Sequence, residues 1–216
     1  MNFTHTAQSC DTVRLSAFIT TPDDYDPAKE SLPMIFFLHG QGERGNDLEI
    51  VKGGGIARLF KDDPCYKGVR AITVSPQCPD GFYWTHFMIQ LKLLLEEVIV
   101  RFNADRKRIA ITGLSMGGFG TWEMLMTYPE IFSCGAPVCG GGIPWNGGAF
   151  KGMKLRVFHG VDDNVVPILC SVTMVNAARR CGADVDFFTY DKVGHASWVP
   201  AYEGSDLLQW LTEQSL

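Results

Sequence analysis

A serine stands among glycines where an apolar run gives way to a segment with helical spacing. The pentapeptide that joins the two is Gly113-Leu114-Ser115-Met116-Gly117. Where a strand is followed at once by a helix, the side chain at the turn points outward and its backbone is strained. Glycines on either side are needed because Cβ atoms there would collide. The free N–H groups and positive dipole end of the new helix favour a negatively charged oxygen there. We therefore predict that Ser115 is a nucleophile rather than part of an ordinary glycine-rich turn.

A serine hydroxyl is a weak nucleophile, so it needs an imidazole base and a carboxylate that holds the base in the right tautomer. His195 follows a predicted strand, precedes the C-terminal helical segment, and comes after both the serine and the candidate acids. Asp162 and Asp163 are adjacent and follow an earlier predicted strand. The residues alone leave both aspartates open as the acid. The chain order Ser, Asp, His predicts a catalytic triad with His195 as its base.

The other four histidines have different surroundings in the sequence. His39 and His159 each precede a glycine at a predicted strand end, where an imidazole more often anchors the loop by hydrogen bonds. His5 comes before the first predicted strand, and His86 opens the first long helix. We therefore expect none of these four to be the base.

The elements that must position these side chains alternate along the chain. A half-exposed strand is predicted at Thr12–Thr20, and buried apolar strands are predicted at 34–40, 69–77, 108–115, 155–160 and 185–190. Apolar residues three and four apart predict helices at Thr85–Phe102, Met116–Tyr128, Ile168–Cys181 and Tyr202–Leu211. This alternation predicts an α/β protein with a mostly parallel central sheet and helices on both faces. No linker divides residues 1–216, so we predict a single domain whose ligand site lies at the carboxyl ends of the strands.

Composition excludes several classes of function. The 216 residues carry a net charge of −5 without a dense cluster of Lys and Arg, which argues against a nucleic-acid partner. No apolar run of about 18 residues predicts a membrane span. Seven cysteines without a CxxC pair disfavour a disulfide framework and a zinc site, so we expect no metal and no cofactor. The first ten residues lack the pattern of a secretory signal, which predicts a cytoplasmic protein unless a signal peptide has been removed.

Blocks along most of the chain resemble a known family. They include "FFLHGQGERGNDLE", "TGLSMGGFGTWEMLMTYPEIF", "FHGVDDNVVP" and "VGHASWVPAY". The chain resembles the α/β-hydrolases, in particular the small "predicted peptidase" and phospholipase/carboxylesterase-like esterases of the prolyl-oligopeptidase-like branch. The serine pentapeptide matches their G-x-S-x-G nucleophile elbow. In the family's H-G-x-x-D-x-x-V-P turn the acid lies four residues after the histidine, which favours Asp163 over Asp162.

The resemblance also implies an oxyanion hole. Its donors would be the backbone N–H groups of Met116, which follows the nucleophile, and of Gln41, in the loop after a sheet strand. Dienelactone hydrolases, which are related, typically have a cysteine nucleophile. Ser115 departs from that pattern and weakens the analogy with their substrates.

The surroundings of the triad indicate an open site. The connection between "PVCGGG" and "LRVFHG" is short and leaves no room for a lipase-like cap. Trp84, Trp145 and Trp198 are predicted near the rim, where they could stack on an aryl or sugar group or simply pack in the core or a loop. Arg44 could meet a substrate carboxylate, but pairing with its neighbour Glu43 is the favoured interpretation.

We therefore expect a serine hydrolase that cleaves carboxylic esters of short-chain acids, or aryl and sugar esters, through an acyl-enzyme intermediate. The expected partner is a small-molecule ester, and the sequence does not indicate the oligomeric state. One alternative is a serine peptidase acting on short peptides. Another is a catalytically silent binding module on the same fold.

Overall fold

The residues that the structure describes, 2–6 and 15–216 of a computed structural model, contain one eight-stranded sheet. Its strands are β1 (Asn2–Thr6), β2 (Ser16–Thr20), β3 (Leu32–Leu38), β4 (Ile72–Pro76), β5 (Ala104–Leu114), β6 (Cys134–Val138), β7 (Lys154–Gly160) and β8 (Asp184–Tyr190). The spatial order is β1-β2-β4-β3-β5-β6-β7-β8. The β1–β2 and β2–β4 pairs are antiparallel, and the other pairs are parallel. The mostly parallel sheet predicted from the sequence is therefore confirmed.

Helices cover both faces of this sheet. They are α1 (Leu48–Val51), α2 (Gly55–Asp62), α3 (Met88–Arg101), α4 (Met116–Thr127), α5 (Leu169–Arg180), α6 (Trp198–Gly204) and α7 (Leu207–Glu213). On one face, α3, α4 and α5 pack apolar side chains such as Leu94, Trp122 and Met174 against the strands. On the other face, α2, α6 and α7 bury Ile56 and Leu211. Each helix turns its apolar stripe toward the sheet because burial removes that stripe from water.

Several elements differ from the predicted ones. The strands β1 and β6 and the short helices α1 and α2 were not predicted from the sequence. The strand predicted at Thr12–Thr20 is Ser16–Thr20, and residues 12–14 lie outside the described part of the chain. The helix predicted at Tyr202–Leu211 is wrong, because α6 and α7 are separated at Ser205. That residue has an extended backbone (ψ −179°), and its hydroxyl oxygen accepts a hydrogen bond from the N–H of Leu207.

The topology brings four strand ends to one edge. The carboxyl ends of β3, β5, β7 and β8 lead directly into the segments that carry Gln41, Ser115, Asp163 and His195. Between β6 and β7 the chain forms only a 3-10 helix, Pro144–Phe150. The prediction of a fold with a minimal cap is confirmed, and the candidate site stays open to solvent on that side.

Candidate active site

Ser115 is the single residue between β5 and α4, and its backbone is strained. Its φ of 54° and ψ of −118° lie in a region that residues with a Cβ rarely occupy. The N–H of Ser115 donates to the carbonyl of Val138 (3.0 Å), and its own carbonyl accepts from the N–H of Phe119 (3.1 Å). These two bonds hold the turn, so the serine side chain projects from the sheet edge as the pentapeptide predicts.

The glycines of the pentapeptide are required by backbone contacts. A Cβ on Gly113 would stand 2.4 Å from the carbonyl oxygen of Gly117. A Cβ on Gly117 would stand only 1.8 Å from the carbonyl oxygen of Leu38, at the end of β3. Helix α4 can therefore begin this close to the sheet only because both positions lack a side chain.

His195 links the serine to an aspartate. Its Nε2 lies 2.8 Å from the Oγ of Ser115, and its Nδ1 lies 2.7 Å from the Oδ2 of Asp163. The ring also meets the indole of Trp198 edge-on, with centroids 5.5 Å apart. The loop after β8 carries this histidine, and the N–H of Ser197 donates to the His195 carbonyl (2.8 Å) within it. The fold thus brings together the three side chains that the sequence singled out, in the order and geometry of an acyl-transfer triad.

The choice between the two adjacent aspartates is clear from their positions. The side chain of Asp163 is fully buried, and its Oδ1 accepts from the N–H groups of Val165 and Val166 (both 2.9 Å). Burial by itself would raise the pKa of Asp163, but the hydrogen bonds from His195 and the two amides outweigh it and lower that pKa. Asp162 is exposed and makes no contact with the imidazole that the structure records. Asp163 is therefore the carboxylate that faces His195.

Two other histidines, His39 and His159, are buried next to the site. Both nitrogens of His39 are used: Nδ1–H donates to the carbonyl of Gly40 (2.6 Å), and Nε2 accepts from the N–H of Cys78 (3.0 Å). Burial lowers the pKa of His39 to about 4, so the ring is neutral at pH 7. His159 lies beside the acid, with Nε2 3.3 Å from the Oδ2 of Asp163. The sequence predicts that both histidines anchor loops, but it does not reveal the contact between His159 and Asp163. The two residues are four apart in the sequence, and this spacing does not by itself bring their side chains together.

The expected oxyanion donors lie on either side of Ser115. Met116 is the first residue of α4, so its N–H has no acceptor within that helix. Gln41 begins the 3-10 helix Gln41–Glu43, directly after β3 and the His39-Gly40 turn. Both residues line the same small cavity as Ser115. This placement is compatible with an oxyanion hole, and the role itself stays a prediction.

Two cavities open at the serine. The larger, about 870 Å³, is lined by Glu43, Arg44, His195 and Trp198 besides Ser115. The smaller, about 430 Å³, has a more aromatic wall, formed by Tyr83, Trp84, Met116, Phe119, Val165 and Val166. A substrate carbonyl at Ser115 would therefore have one substituent in each cavity.

The three tryptophans predicted near the rim have different positions. Trp198 lines the larger cavity beside His195. Trp84 contributes to the wall of the smaller cavity, but its indole is fully buried and its Nε1–H donates to the carbonyl of His39 (2.9 Å). Its indole therefore packs in the core, which is the second of the two roles that the sequence leaves open for it. Trp145 is 86% exposed on the 3-10 helix between β6 and β7 and lines neither cavity at Ser115, so the structure does not bring it to the candidate site.

The predicted ion pair between Glu43 and Arg44 does not form. Arg44 donates from Nε to the carbonyl of Gln41 (3.1 Å) and from Nη1 to the carbonyl of Phe82 (3.2 Å), and it lies over the ring of Tyr83 (5.7 Å). The Glu43 carboxylate turns the other way, toward Gly40, and burial raises its pKa. Adjacent residues in a tight turn point in different directions, which keeps these two charges apart.

One group of three possible metal-ligating side chains is found among residues 15–216, and it overlaps the triad. Ligand atoms of Cys139, Asp163 and His195 lie within 4.8 Å of one another. Burial raises the pKa of the Cys139 thiol to about 12, so it is protonated and a poor ligand at pH 7. The aspartate and the imidazole already bond to each other. The donor set therefore fits a hydrogen-bonded triad better than a metal centre.

No helix in the described part of the chain combines the length and the apolar character needed to cross a membrane.

Comparison with known proteins places the chain in a structural class. No family model matches it. A solved thermostable esterase is similar over 100% of this chain and 63% of its own, with a TM-score of 0.89 and 33% identity. A chloroplastic protein of Arabidopsis thaliana, described as a probable glutamyl endopeptidase, is 30% identical over 148 residues, 59% of this chain and 15% of its own length. Feruloyl esterase C of Emericella nidulans is 27% identical over 159 residues, 72% of this chain and 57% of its own length.

The chain spans less than two thirds of the length of each of these three proteins. This set of relatives is consistent with two features of the structure, the sheet order and the strained serine between β5 and α4. The chain has the α/β-hydrolase fold, and the proteins that it is similar to are named as esterases and a peptidase.

Proposed function

We propose that this protein is a carboxylesterase with Ser115 as nucleophile, His195 as general base and acid, and Asp163 as the orienting carboxylate. The observation that carries the proposal is the chain of contacts Ser115 Oγ–His195 Nε2 (2.8 Å) and His195 Nδ1–Asp163 Oδ2 (2.7 Å). The relatives that include esterases support the reaction class.

The reaction proceeds in two halves. His195 Nε2 takes the hydroxyl proton as the Oγ of Ser115 attacks the ester carbonyl carbon, and the oxyanion forms beside the amides of Gln41 and Met116. The tetrahedral intermediate collapses, the bond to the alkoxy oxygen breaks, and His195 gives its proton to the leaving alcohol. Water, deprotonated by the same imidazole, then attacks the acyl carbon. The bond from that carbon to Ser115 Oγ breaks, His195 returns the proton to Oγ, and the acid leaves. Asp163 keeps the proton of His195 on Nδ1 and stabilises the imidazolium.

The cavities can be assigned from the proton path. The leaving oxygen must approach His195 Nε2, and His195 lines the larger cavity but not the smaller one. The alcohol part of the substrate therefore occupies the larger cavity, beside Trp198. The acyl part occupies the smaller cavity, against Met116 and Phe119.

The substrate class follows from these walls. The smaller cavity, about 430 Å³ with aromatic and aliphatic walls, suits an acetyl to butyryl group or one aryl ring. Because no cap from residues 15–216 covers the site, a long acyl chain would remain in water and gain little from its methylene groups. Trp198 offers an aromatic face to an aryl or sugar alcohol. A feruloyl esterase among the relatives supports testing hydroxycinnamoyl esters.

The deciding experiment is a hydrolysis screen of the purified protein. It uses p-nitrophenyl esters of graded chain length, a hydroxycinnamoyl ester and an acetylated sugar, with the Ser115→Ala variant as control. We expect kcat/KM to be greatest between acetyl and butyryl or with the aryl acid, and to fall by at least roughly 10³-fold in the variant. Preference for octanoate over butyrate would contradict the open acyl site, and activity that persists without the Ser115 hydroxyl would contradict the mechanism.

A peptidase is the second candidate, favoured by the 30% identity to the Arabidopsis thaliana protein described as a glutamyl endopeptidase. Comparing an aryl acetate with an aminoacyl anilide separates the two: an esterase hydrolyses the acetate far faster. A silent binding module would hydrolyse neither and would not react with a fluorophosphonate probe.

We also propose a small-molecule partner and a cytoplasmic location. Six cysteines of the described chain, Cys65, Cys78, Cys134, Cys139, Cys170 and Cys181, are free thiols, which suits a reducing compartment. The seventh, Cys10, lies outside the described residues. Fractionation of the native host would test the location, and recovery of the protein outside the cytoplasm would contradict it.

A further inference from the structure

His159 lies next to the triad with its side chain fully buried. It is the penultimate residue of β7, and its Nε2 is 2.9 Å from the carbonyl oxygen of Val166 and 3.3 Å from the Oδ2 of Asp163. On the other side of the ring, Nδ1 is 2.7 Å from the Oγ of Ser171 in α5. The sheet and α5 therefore hold the ring at both nitrogens, with its Nε2 edge against the acid.

The partners determine where the ring proton lies. Nε2 faces a carbonyl oxygen and a carboxylate oxygen, and neither can donate, so Nε2 carries the proton. Ser171 Oγ lies 3.0 Å from the carbonyl oxygen of Gly140 as well as near the ring, and its single proton serves one of the two at a time. In the neutral ring Nδ1 accepts that proton. His159 is therefore fixed as the Nε2–H tautomer.

We propose that His159 is a positioning residue whose Nε2–H shares the Oδ2 of Asp163 with the Nδ1–H of His195. Asp163 accepts from the amides of Val165 and Val166 on Oδ1 and from His195 on Oδ2. The Nε2–H of His159, whose nearer acceptor is the Val166 carbonyl at 2.9 Å, adds a longer contact to the same Oδ2 at 3.3 Å. The plane of the carboxylate is fixed on both edges. The proposal extends the catalytic assignment made above and rests on that proposed function.

The second imidazole also limits how strongly Asp163 attracts the proton on His195. A carboxylate oxygen that accepts two hydrogen bonds spreads its negative charge over both donors. Without the His159 donor, the charge acts on His195 alone, and the imidazolium form of His195 becomes easier to form in the resting enzyme. The titratable groups that act on His159 in the described structure are Asp163 and His195, and burial keeps its pKa low, so the ring stays neutral.

A matched pair of substitutions separates this role from simple packing. The amide nitrogen of glutamine reaches about as far as Nε2 of histidine, whereas that of asparagine reaches only as far as Nδ1. His159→Gln therefore keeps a donor to Asp163, and His159→Asn keeps a partner for Ser171 but loses that donor. We expect His159→Asn to lower kcat/KM at neutral pH about tenfold, as for one hydrogen bond to a charged group, and to move the midpoint of its pH profile upward. His159→Gln should retain the wild-type midpoint.

The outcomes are decisive in each direction. An upward midpoint in the asparagine variant, with rescue by glutamine, supports the proposal. An unchanged midpoint in a folded His159→Asn variant, or an equal shift in both variants, overturns it. The ring nitrogens of the wild-type protein give a second measurement that needs no variant and no substrate: ¹⁵N NMR should show His159 protonated at Nε2 and not at Nδ1, and the opposite tautomer overturns the proposal. Absence of esterase activity in the wild type would instead refute the proposed function and leave the NMR test valid.

Discussion

The close approach of α4 to β3 makes Gly117→Ala a sharp test of the nucleophile turn. A Cβ at this position would stand 1.8 Å from the carbonyl oxygen of Leu38, whereas real Cβ atoms essentially never come closer than about 3.0 Å. The start of α4 must therefore recede by about 1.2 Å from β3. If Ser115 moves with it, the position of its Oγ relative to His195 Nε2, now 2.8 Å away, changes by up to about 1.2 Å, enough to break the hydrogen bond.

We expect this displacement to lower kcat roughly 100-fold, the cost of a misplacement of about 1 Å at a reacting group. Overpacking should also lower the free energy of unfolding by about 1–3 kcal/mol. Gly148→Ala is the matched control, because a Cβ there has nothing within 4 Å. Steady-state hydrolysis of a p-nitrophenyl ester and urea unfolding measure the two effects. Wild-type kcat in a folded Gly117→Ala variant would refute the reasoning that this backbone contact fixes the serine.

Three further predictions concern single side chains. Ser115→Ala should reduce kcat by roughly 10³ to 10⁶ with almost unchanged folding, and should abolish fluorophosphonate labelling; labelling that persists would locate the nucleophile elsewhere. Asp163→Asn should lower kcat by up to about 10⁴ through the wrong imidazole tautomer, whereas the exposed Asp162→Asn should behave as a surface substitution; the reverse order of losses would show that the acid is misassigned. Burial lowers the pKa of His39 from 6.5 to about 4, so between these pH values the unfolded chain binds a proton that the folded chain does not. The free energy of unfolding should therefore decrease by about 3 kcal/mol through this group as the pH is lowered from 6.5 to 4. Urea unfolding at both ends of the interval measures this, and a His39→Asn variant with the wild-type pH slope would contradict it.

Much of the fold and the triad geometry could be predicted because the signals are local. A continuous apolar run is typical of a buried strand, and the G-x-S-x-G spacing indicates a strand-to-helix turn regardless of the rest of the chain. Strand β6 was missed because Gly135 and Pro137 interrupt its apolar pattern, although its parallel neighbours on both sides supply the pairing. The break between α6 and α7 was missed because the apolar spacing continues across Ser205 while its backbone is extended.

What could not be predicted depends on the direction of side chains after folding. Glu43 and Arg44 are neighbours in sequence, but the turn sends one toward Gly40 and the other toward the carbonyls of Gln41 and Phe82. His159 touches Asp163 only because the turn after β7 folds back on its own strand end. Such contacts arise from tertiary placement, for which a single sequence carries no periodic signal.

The bonds of Arg44 and Trp84 join two parts of the site that an engineer would want to change separately. Arg44 ties the carbonyl of Gln41 to that of Phe82, and Trp84 ties its own segment to the carbonyl of His39. These bonds therefore connect the loop of Gln41, which is one expected oxyanion donor, to the Trp84 segment of the acyl cavity wall. We expect that smaller side chains in this segment, which would enlarge the cavity, also make the Gln41 loop less rigid. Such variants should accept larger acyl groups but have a lower kcat. Selection for bulky acids should then favour changes at Phe119, which lines the same cavity but makes none of these bonds.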